Sequence, residues 1–321
     1  MTESQDALRR PDFVELVRVC ARIGCLSFGG PAGQIALMHR ELVDERRWID
    51  EQDYLHALNF CHLLPGPEAQ QLATYIGWKL HGVRGGLVAG LLFVLPGALV
   101  ILGLSALYMA AANVSWFEAI FVGVKAAVLA IIVQAVIRIG GRALQTPVKK
   151  ALAVASFVAL FFLDLPFPIV IFGAGLIGFA VANWRPDLMA VTKSDGSALP
   201  PRPSVWPTIR SILAGLAHWA APMMLVFVLL GDQHVLWKIG IFFSQLAVVT
   251  FGGAYAVLAY MAQQAVDGFG WLSAGEMADG LGLAETTPGP LIMVTQFVGY
   301  IAAYRDPAPF TPMVAALLGA G

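Results

Sequence analysis

The chain has 321 residues, 58% of them hydrophobic and 13% charged, with a mean hydropathy of +0.72. Soluble domains run about 45–50% apolar and about 25% charged, so this composition excludes an ordinary soluble domain and points to an all-α polytopic membrane protein. The formal net charge of −1 leaves no basic excess for nucleic acid.

In chain order, residues 13–27 form an apolar helix with Arg18 and Arg22 one turn apart on one face. It breaks at Phe28-Gly29-Gly30-Pro31 and resumes over residues 34–42. In a helix interior glycine costs about 1 kcal/mol and proline about 3, so such clusters interrupt helices. A polar loop over residues 44–53 carries Arg46, Arg47 and Trp48. Residues 54–64 are apolar, break at Pro65-Gly66-Pro67, and resume over residues 68–80. The segments beside each break run about 10–15 residues, too short for a ~30 Å hydrocarbon core, which takes about 20. Full-length spans follow at 86–109 and 117–139. Residues 148–163 and 167–182 form a tight pair joined at Asp164-Leu165-Pro166. Residues 183–210 are polar and proline-rich, which reads as a cytoplasmic linker, and residues 211–230 form another span.

A second repeat begins near Leu236. Phe251-Gly252-Gly253 lies 223 residues after Phe28-Gly29-Gly30, and Pro288-Gly289-Pro290 lies 223 after Pro65-Gly66-Pro67. Asp44, Trp48 and Asp53 meet Asp267, Trp271 and Glu276 at the same spacing. A gapless register across these residue types is the signature of internal duplication. The expected organisation is a first transmembrane repeat over 13–182, the linker over 183–210, and a second repeat over 211–321. Pro309 corresponds to Gly86, and the chain ends at Gly321, equivalent to Ala98, so the second repeat reads as truncated.

Positive residues stay cytoplasmic near membrane ends, which orients the chain. Arg9 and Arg10 precede the first break, Arg40, Arg46 and Arg47 follow it, and Lys79 and Arg84 follow the second. With all three clusters on one side, the two broken helices form re-entrant hairpins and the N-terminus is cytoplasmic. Five crossings then separate the repeats. The second repeat therefore enters from the opposite face, and its loop over 265–276 has no lysine or arginine. This is an inverted-topology repeat in a multi-pass protein of the bacterial inner-membrane type.

Secondary transporters are commonly built this way, with discontinuous helices meeting at a midplane site. Helix starts aim free N–H groups and a positive dipole end at the cavity. Starts at Gly29-Gly30, Gly66, Gly252-Gly253 and Gly289 would together make an oxyanion site. Arg22 and Lys125 are the candidate formal cations, although Arg22 also reads as an interfacial anchor and Lys125 as a structural or snorkelling charge paired with Glu118. Glu68 suits the first turn of its helix electrostatically. Glu68 and Glu285 are also the carboxylates that could carry a coupled proton. Gln71, Thr74, Thr287 and Gln296 are uncharged groups suited to an oxyanion. The three cysteines, Cys20, Cys25 and Cys61, read as packing residues, and neither metal nor cofactor is called for. No nucleophile, base and acid set suggests an enzyme.

The run Arg22-Ile23-Gly24-Cys25-Leu26-Ser27-Phe28-Gly29-Gly30-Pro31 resembles the opening motif of the chromate ion transporter family. So do Arg46-Arg47-Trp48-Ile49 and the run from Leu63 through Pro65-Gly66-Pro67-Glu68-Ala69-Gln70-Gln71 to Gly77. The resemblance covers both halves. It implies two homologous halves of opposed orientation and a chromate substrate, a tetrahedral dianion similar to sulfate, with efflux and chromate resistance. A carrier of sulfate or another anion, and a non-transporting subunit or remnant, are the alternatives. The implied partners are the oxyanion and the lipid bilayer; a homo-oligomer stays open.

Overall fold

The computed structural model describes residues 8–111, 121–123, scattered positions from 126 to 141, 143–163, 165, 167–185, 205–250 and 254–321. Every regular element among them is helical. The expected span over 117–139 and the linker residues 186–204 lie largely or wholly outside the described residues.

Helix α1 (Phe13–Leu26) starts where the Asp12 carboxylate accepts the Glu15 N–H at 2.6 Å. It stops at Ser27, and α2 (Gly30–His39) begins after Gly29, whose φ of 84° is left-handed and favours glycine. A π-helical turn over Arg40–Glu45 follows. Asp50 then caps α3 (Glu51–His62). Helix α4 (Glu68–Ala111) leaves helical geometry at His81 and Gly82, so it is two helices, and they fold back on each other: a Cβ at Gly85 would overlap the Gly77 carbonyl, and one at Gly90 would meet the Thr74 side chain. That interruption falls between the expected segments 68–80 and 86–109.

The half of α4 after this interruption carries a face that a soluble protein would not expose. Leu87, Leu91, Leu95 and Leu99 are 47–64% exposed along one stripe, while Gly86, Ala89, Gly90, Phe93 and Gly97 are buried on the other. Small residues inside and leucines outside is the pattern of helices that associate by close backbone approach in lipid. Among the described residues, two helices, α4 and α7 (Val205–Leu230), are long and apolar enough to cross a membrane.

Packing divides the chain into two units. In the one covering residues 129–224, α5 (Pro147–Phe161) packs on α6 (Phe167–Trp184), and the first part of α7 belongs to it. The other unit holds the chain up to residue 128 and from 225 onward. Besides α1–α4 it contains α8 (Val235–Val249), α9 (Ala254–Gln263), a π-helical turn over Gln264–Gly268, α10 (Ala274–Thr286), a 3-10 turn over Leu291–Met293, α11 (Val294–Arg305) and α12 (Pro312–Ala320). Its closest packing joins α1 to α4 and α11 to α12. At Gly24, a Cβ would overlap the Leu92 carbonyl of α4; at Gly299, one would overlap the Gly319 carbonyl of α12.

Local geometry inside this unit recurs at the 223-residue spacing. Ser27 Oγ donates to the Ile23 carbonyl at 2.7 Å, and Thr250 Oγ1 to the Leu246 carbonyl at 2.6 Å. The Trp48 N–H meets the Leu42 carbonyl, and the Trp271 N–H meets the Ala265 carbonyl, each at 2.8 Å. Arg47 and Gly270 both take positive φ, 52° and 63°. Asp50 caps the N–H of Asp53, and Ser273 caps that of Glu276. Even the ion pairs match in kind: Asp53 with Lys79, and Glu276 with Arg305.

These two pairs give the loops a pH dependence. The hydrogen bond from Lys79 holds the Asp53 carboxyl below its ordinary 3.8. Burial pushes Glu276 up, but hydrogen bonds from Arg305 and Ser273 outweigh it and hold the carboxyl below 4.5. A depressed carboxyl contributes stability above its unfolded pKa and loses it as pH falls through the folded value. Thermal stability should therefore decline as pH drops below about 5. Arg305→Met should flatten that decline more than Lys79→Met, because Glu276 is 22% exposed and Asp53 42%. Melting curves from pH 7 to pH 3 check this.

Candidate functional site

The helix breaks come together through their backbones. The Gly66 N–H donates to the Thr250 carbonyl at 2.8 Å, and the Gly289 N–H donates to the Ser27 carbonyl at 3.0 Å. Gly66 and Gly289 are 223 residues apart, as are Ser27 and Thr250. The second break of each repeat is thus bonded to the first break of the other. Both glycines hold left-handed φ, 115° and 96°, in which a Cβ would be strained. The acceptors are the residues just past the ends of α1 and α8, where carbonyls lack helical partners.

Gln34, on the first turns of α2, ties the arrangement together. It is 1% exposed, and its Nε2 donates to the Gly289 carbonyl at 2.6 Å and to the Ser27 carbonyl at 3.2 Å. Pro31, Gln34, Gly66, Glu68, Thr250 and Pro290 line a cavity of about 20 Å³, room for about one water. Residues of three of the breaks, and Thr250 just before the fourth, thus face the same space.

Among the described residues, one acid brings charge to this cavity. Glu68 is 7% exposed, and its Oε1 lies 3.1 Å from His62 Nδ1 at the end of α3. A carboxylate here opposes an anion unless it is protonated or paired, and His62 is the group placed to pair it. Gln71 Nε2 donates to the Pro65 carbonyl at 2.6 Å, supporting the second break from below, while its Oε1 is buried without a partner.

The other sequence-derived candidates are distributed as follows. Gly29 and Gly30 sit at the α2 start with φ of 84° and 71°. Arg22 lies 3.7 Å from the Glu41 carboxylate and is 57% exposed; it does not line the cavity. Glu285 is half-buried on the last turn of α10. Lys125, Gly252 and Gly253 lie outside the described residues. No lysine or arginine among the described residues lines the cavity. The positive groups beside it among the described residues are helix starts, each equivalent to about half a charge.

Sequence reasoning did not name Ser27, Thr250, Gln34 or His62 as site residues. Ser27 and Thr250 carried a signal, since they share a hydroxyl at the residue before each Phe-Gly-Gly. Gln34 carried none, because Val257 stands at its repeat position.

The chromate transporter family model matches residues 14–179 and 237–320 of the chain. A chromate transport protein of Pseudomonas aeruginosa is 38% identical over 292 residues, covering 88% of this chain and 64% of that protein. A chromate transport protein of Cupriavidus metallidurans is 30% identical over 297 residues, covering 90% and 67%. A probable chromate transport protein of Synechococcus elongatus is 28% identical over 294 residues, covering 90% and 69%. The chain spans about two thirds of the length of these relatives. No solved structure is detectably similar.

Proposed function

Because the chain belongs to the chromate transporter family, we propose that it carries a tetrahedral oxyanion dianion, chromate foremost, outward across the cell membrane. The curated relatives are named for chromate transport, and the backbone N–H donors beside the cavity are of the kind an oxyanion takes. The observation that carries the reading is the pair of reciprocal glycine hydrogen bonds at one cavity, Gly66 to Thr250 and Gly289 to Ser27.

The energetic argument is simple. An uncompensated buried dianion costs tens of kcal/mol by Born estimates. Four helix starts at about half a charge each supply roughly +2 where it would sit. N–H donors pointing from several directions suit a tetrahedral shell of oxygens, and neutral solutes gain nothing from them. Chromate and sulfate have the same charge and shape, so this site distinguishes them weakly.

In the same reading the two repeats have opposed orientation and their broken helices are re-entrant. The recurrence of Trp48 and Trp271 turns supports duplication, and the contrast between Arg40, Arg46 and Arg47 in one loop and their lack over 265–276 supports inversion. The repeats meet at the cavity, and this reading assigns the anion's formal positive charge to Arg22 or Lys125.

Proteoliposomes loaded with radiolabelled chromate test the proposal. The parent should export chromate, with sulfate competing. Gly66→Val and Gly289→Val should each abolish export, since both replace left-handed glycines whose N–H groups are the donors. Lys125→Met should reduce it at least ten-fold. Export unchanged in both glycine variants would exclude the helix-start site; unchanged export in Lys125→Met would exclude that charge.

A further inference from the structure

The donors at this cavity are already occupied, and by a particular kind of acceptor. Gly66 lies two residues before α4, and Gly289 two residues before the 3-10 turn that leads into α11, so their N–H groups lie beside positive helix ends. Their acceptors, the Thr250 and Ser27 carbonyls, lie at the negative ends of α8 and α1. Each positive end is thus satisfied by a negative end from the other repeat. The cavity between them holds about one water, too little for a five-atom oxyanion.

We propose that these two carbonyl oxygens stand in for substrate oxygens: the oxyanion enters by displacing both, and Gln34 Nε2, released from the Ser27 and Gly289 carbonyls, becomes a side-chain donor to it. This rests on the oxyanion reading above and goes beyond it by naming the closed state, the exchange of acceptors and the selecting side chain.

Geometry favours a coupled exchange. The Ser27 carbonyl accepts from both Gly289 N–H and Gln34 Nε2, so moving it frees two donors at once. Gln34 also holds the Gly289 carbonyl, on the peptide bond that follows the Gly289 N–H. The carbonyls that leave lie at helix ends, so the cost is that of exchanging hydrogen bonds rather than of losing them outright. An anion replaces neutral acceptors with charged ones, which are roughly twice as strong. Displacing two separate carbonyl oxygens calls for an anion with more than one oxygen, so the exchange selects for polyatomic anions over chloride.

The sequence permits a direct reading of the two donors. It contains three Pro-Gly peptide bonds, ending at Gly66, Gly97 and Gly289. With carbonyl-¹³C proline and ¹⁵N glycine, a carbonyl-filtered amide NMR spectrum of the chain in lipid nanodiscs shows those three signals. Chromate should move the Gly66 and Gly289 signals together with one saturation curve, and chloride should move neither. Gln34→Leu should weaken chromate binding about ten-fold, and Gln34→Asn, which keeps an amide, should weaken it less. Retained radiolabelled chromate measures binding separately. Chromate bound with both glycines unmoved, or only one moved, overturns the displacement while the oxyanion reading stands. Parent-like binding in Gln34→Leu overturns the role of Gln34. No chromate retained by the parent chain overturns the oxyanion reading and this inference with it.

Discussion

Gly97→Ala should abolish chromate export, and Gly103→Ala, six residues on, should leave it unchanged. A Cβ at Gly97 would overlap the Pro288 carbonyl oxygen and crowd the Gly289 Cα, whereas a Cβ at Gly103 meets nothing within 4 Å. Both substitutions replace glycine with a better helix former, so intrinsic propensity favours both variants. The difference between them is therefore the contact. Pro288 is backbone at a break, with no flexible side-chain end to yield, so α4 must move away from the α10–α11 connection. Overpacking of this kind typically costs 1–3 kcal/mol. Loss of function should exceed what that destabilisation alone produces, because the displaced peptide carries the Gly289 N–H. Export assays at matched protein level, with melting temperatures for both variants, separate the two effects. Equal export by the two variants would remove the α4 contact from the site.

Which parts were legible in the sequence follows from which parts glycine and proline control. The breaks at residues 28–31 and 65–67 were legible because those residue types have a physical cost inside helices. Their pairing was not, because which carbonyl a glycine N–H meets is a tertiary fact. The 223-residue register relates Gly66 to Gly289 and Ser27 to Thr250, but it does not say which N–H meets which carbonyl. The division of α4 at His81 and Gly82 fell where the expected segments left a gap, since Gly82 takes a φ of 61°. The two π-helical turns, Arg40–Glu45 and Gln264–Gly268, left no signature. Such turns arise from an i→i+5 bond forced by packing rather than from a composition. Gln34 was invisible for a related reason: a lone glutamine on an apolar helix has no repeat partner to mark it. Arg22 was read as either anion-facing or an anchor, and its nearest acid is Glu41, which no local pattern linked to it.

That acid carries the second large effect. Glu41 is 1% exposed, and its Oε2 accepts from Arg46 Nη1 at 2.5 Å. The π-helical turn makes this pair, because i→i+5 bonding stacks residue 41 beneath residue 46. Arg22 stands 3.7 Å from the other oxygen, too far for a hydrogen bond, and is 57% exposed. At the repeat positions of Arg22, Glu41 and Arg46 the chain has Gln245, Gln264 and Phe269, so the charges belong to the first repeat alone. Removing one partner of a buried pair leaves an uncompensated charge and costs about 3–5 kcal/mol. Exposed partners at this distance contribute about 0–1 kcal/mol. Arg46→Met should therefore lower the melting temperature sharply, and Arg22→Met should barely change it. Arg46→Met combined with Glu41→Gln should recover much of the loss, since no ion is then left buried. Melting curves of the three variants in detergent decide the stability claim: an Arg22→Met loss as large as that of Arg46→Met would contradict it. The same Arg22→Met protein decides the older question about this residue. Because its fold should be intact, a loss of chromate export in it identifies Arg22 as a charge that meets the anion on its path. Export equal to the parent identifies it as an anchor of the basic face beside Glu41.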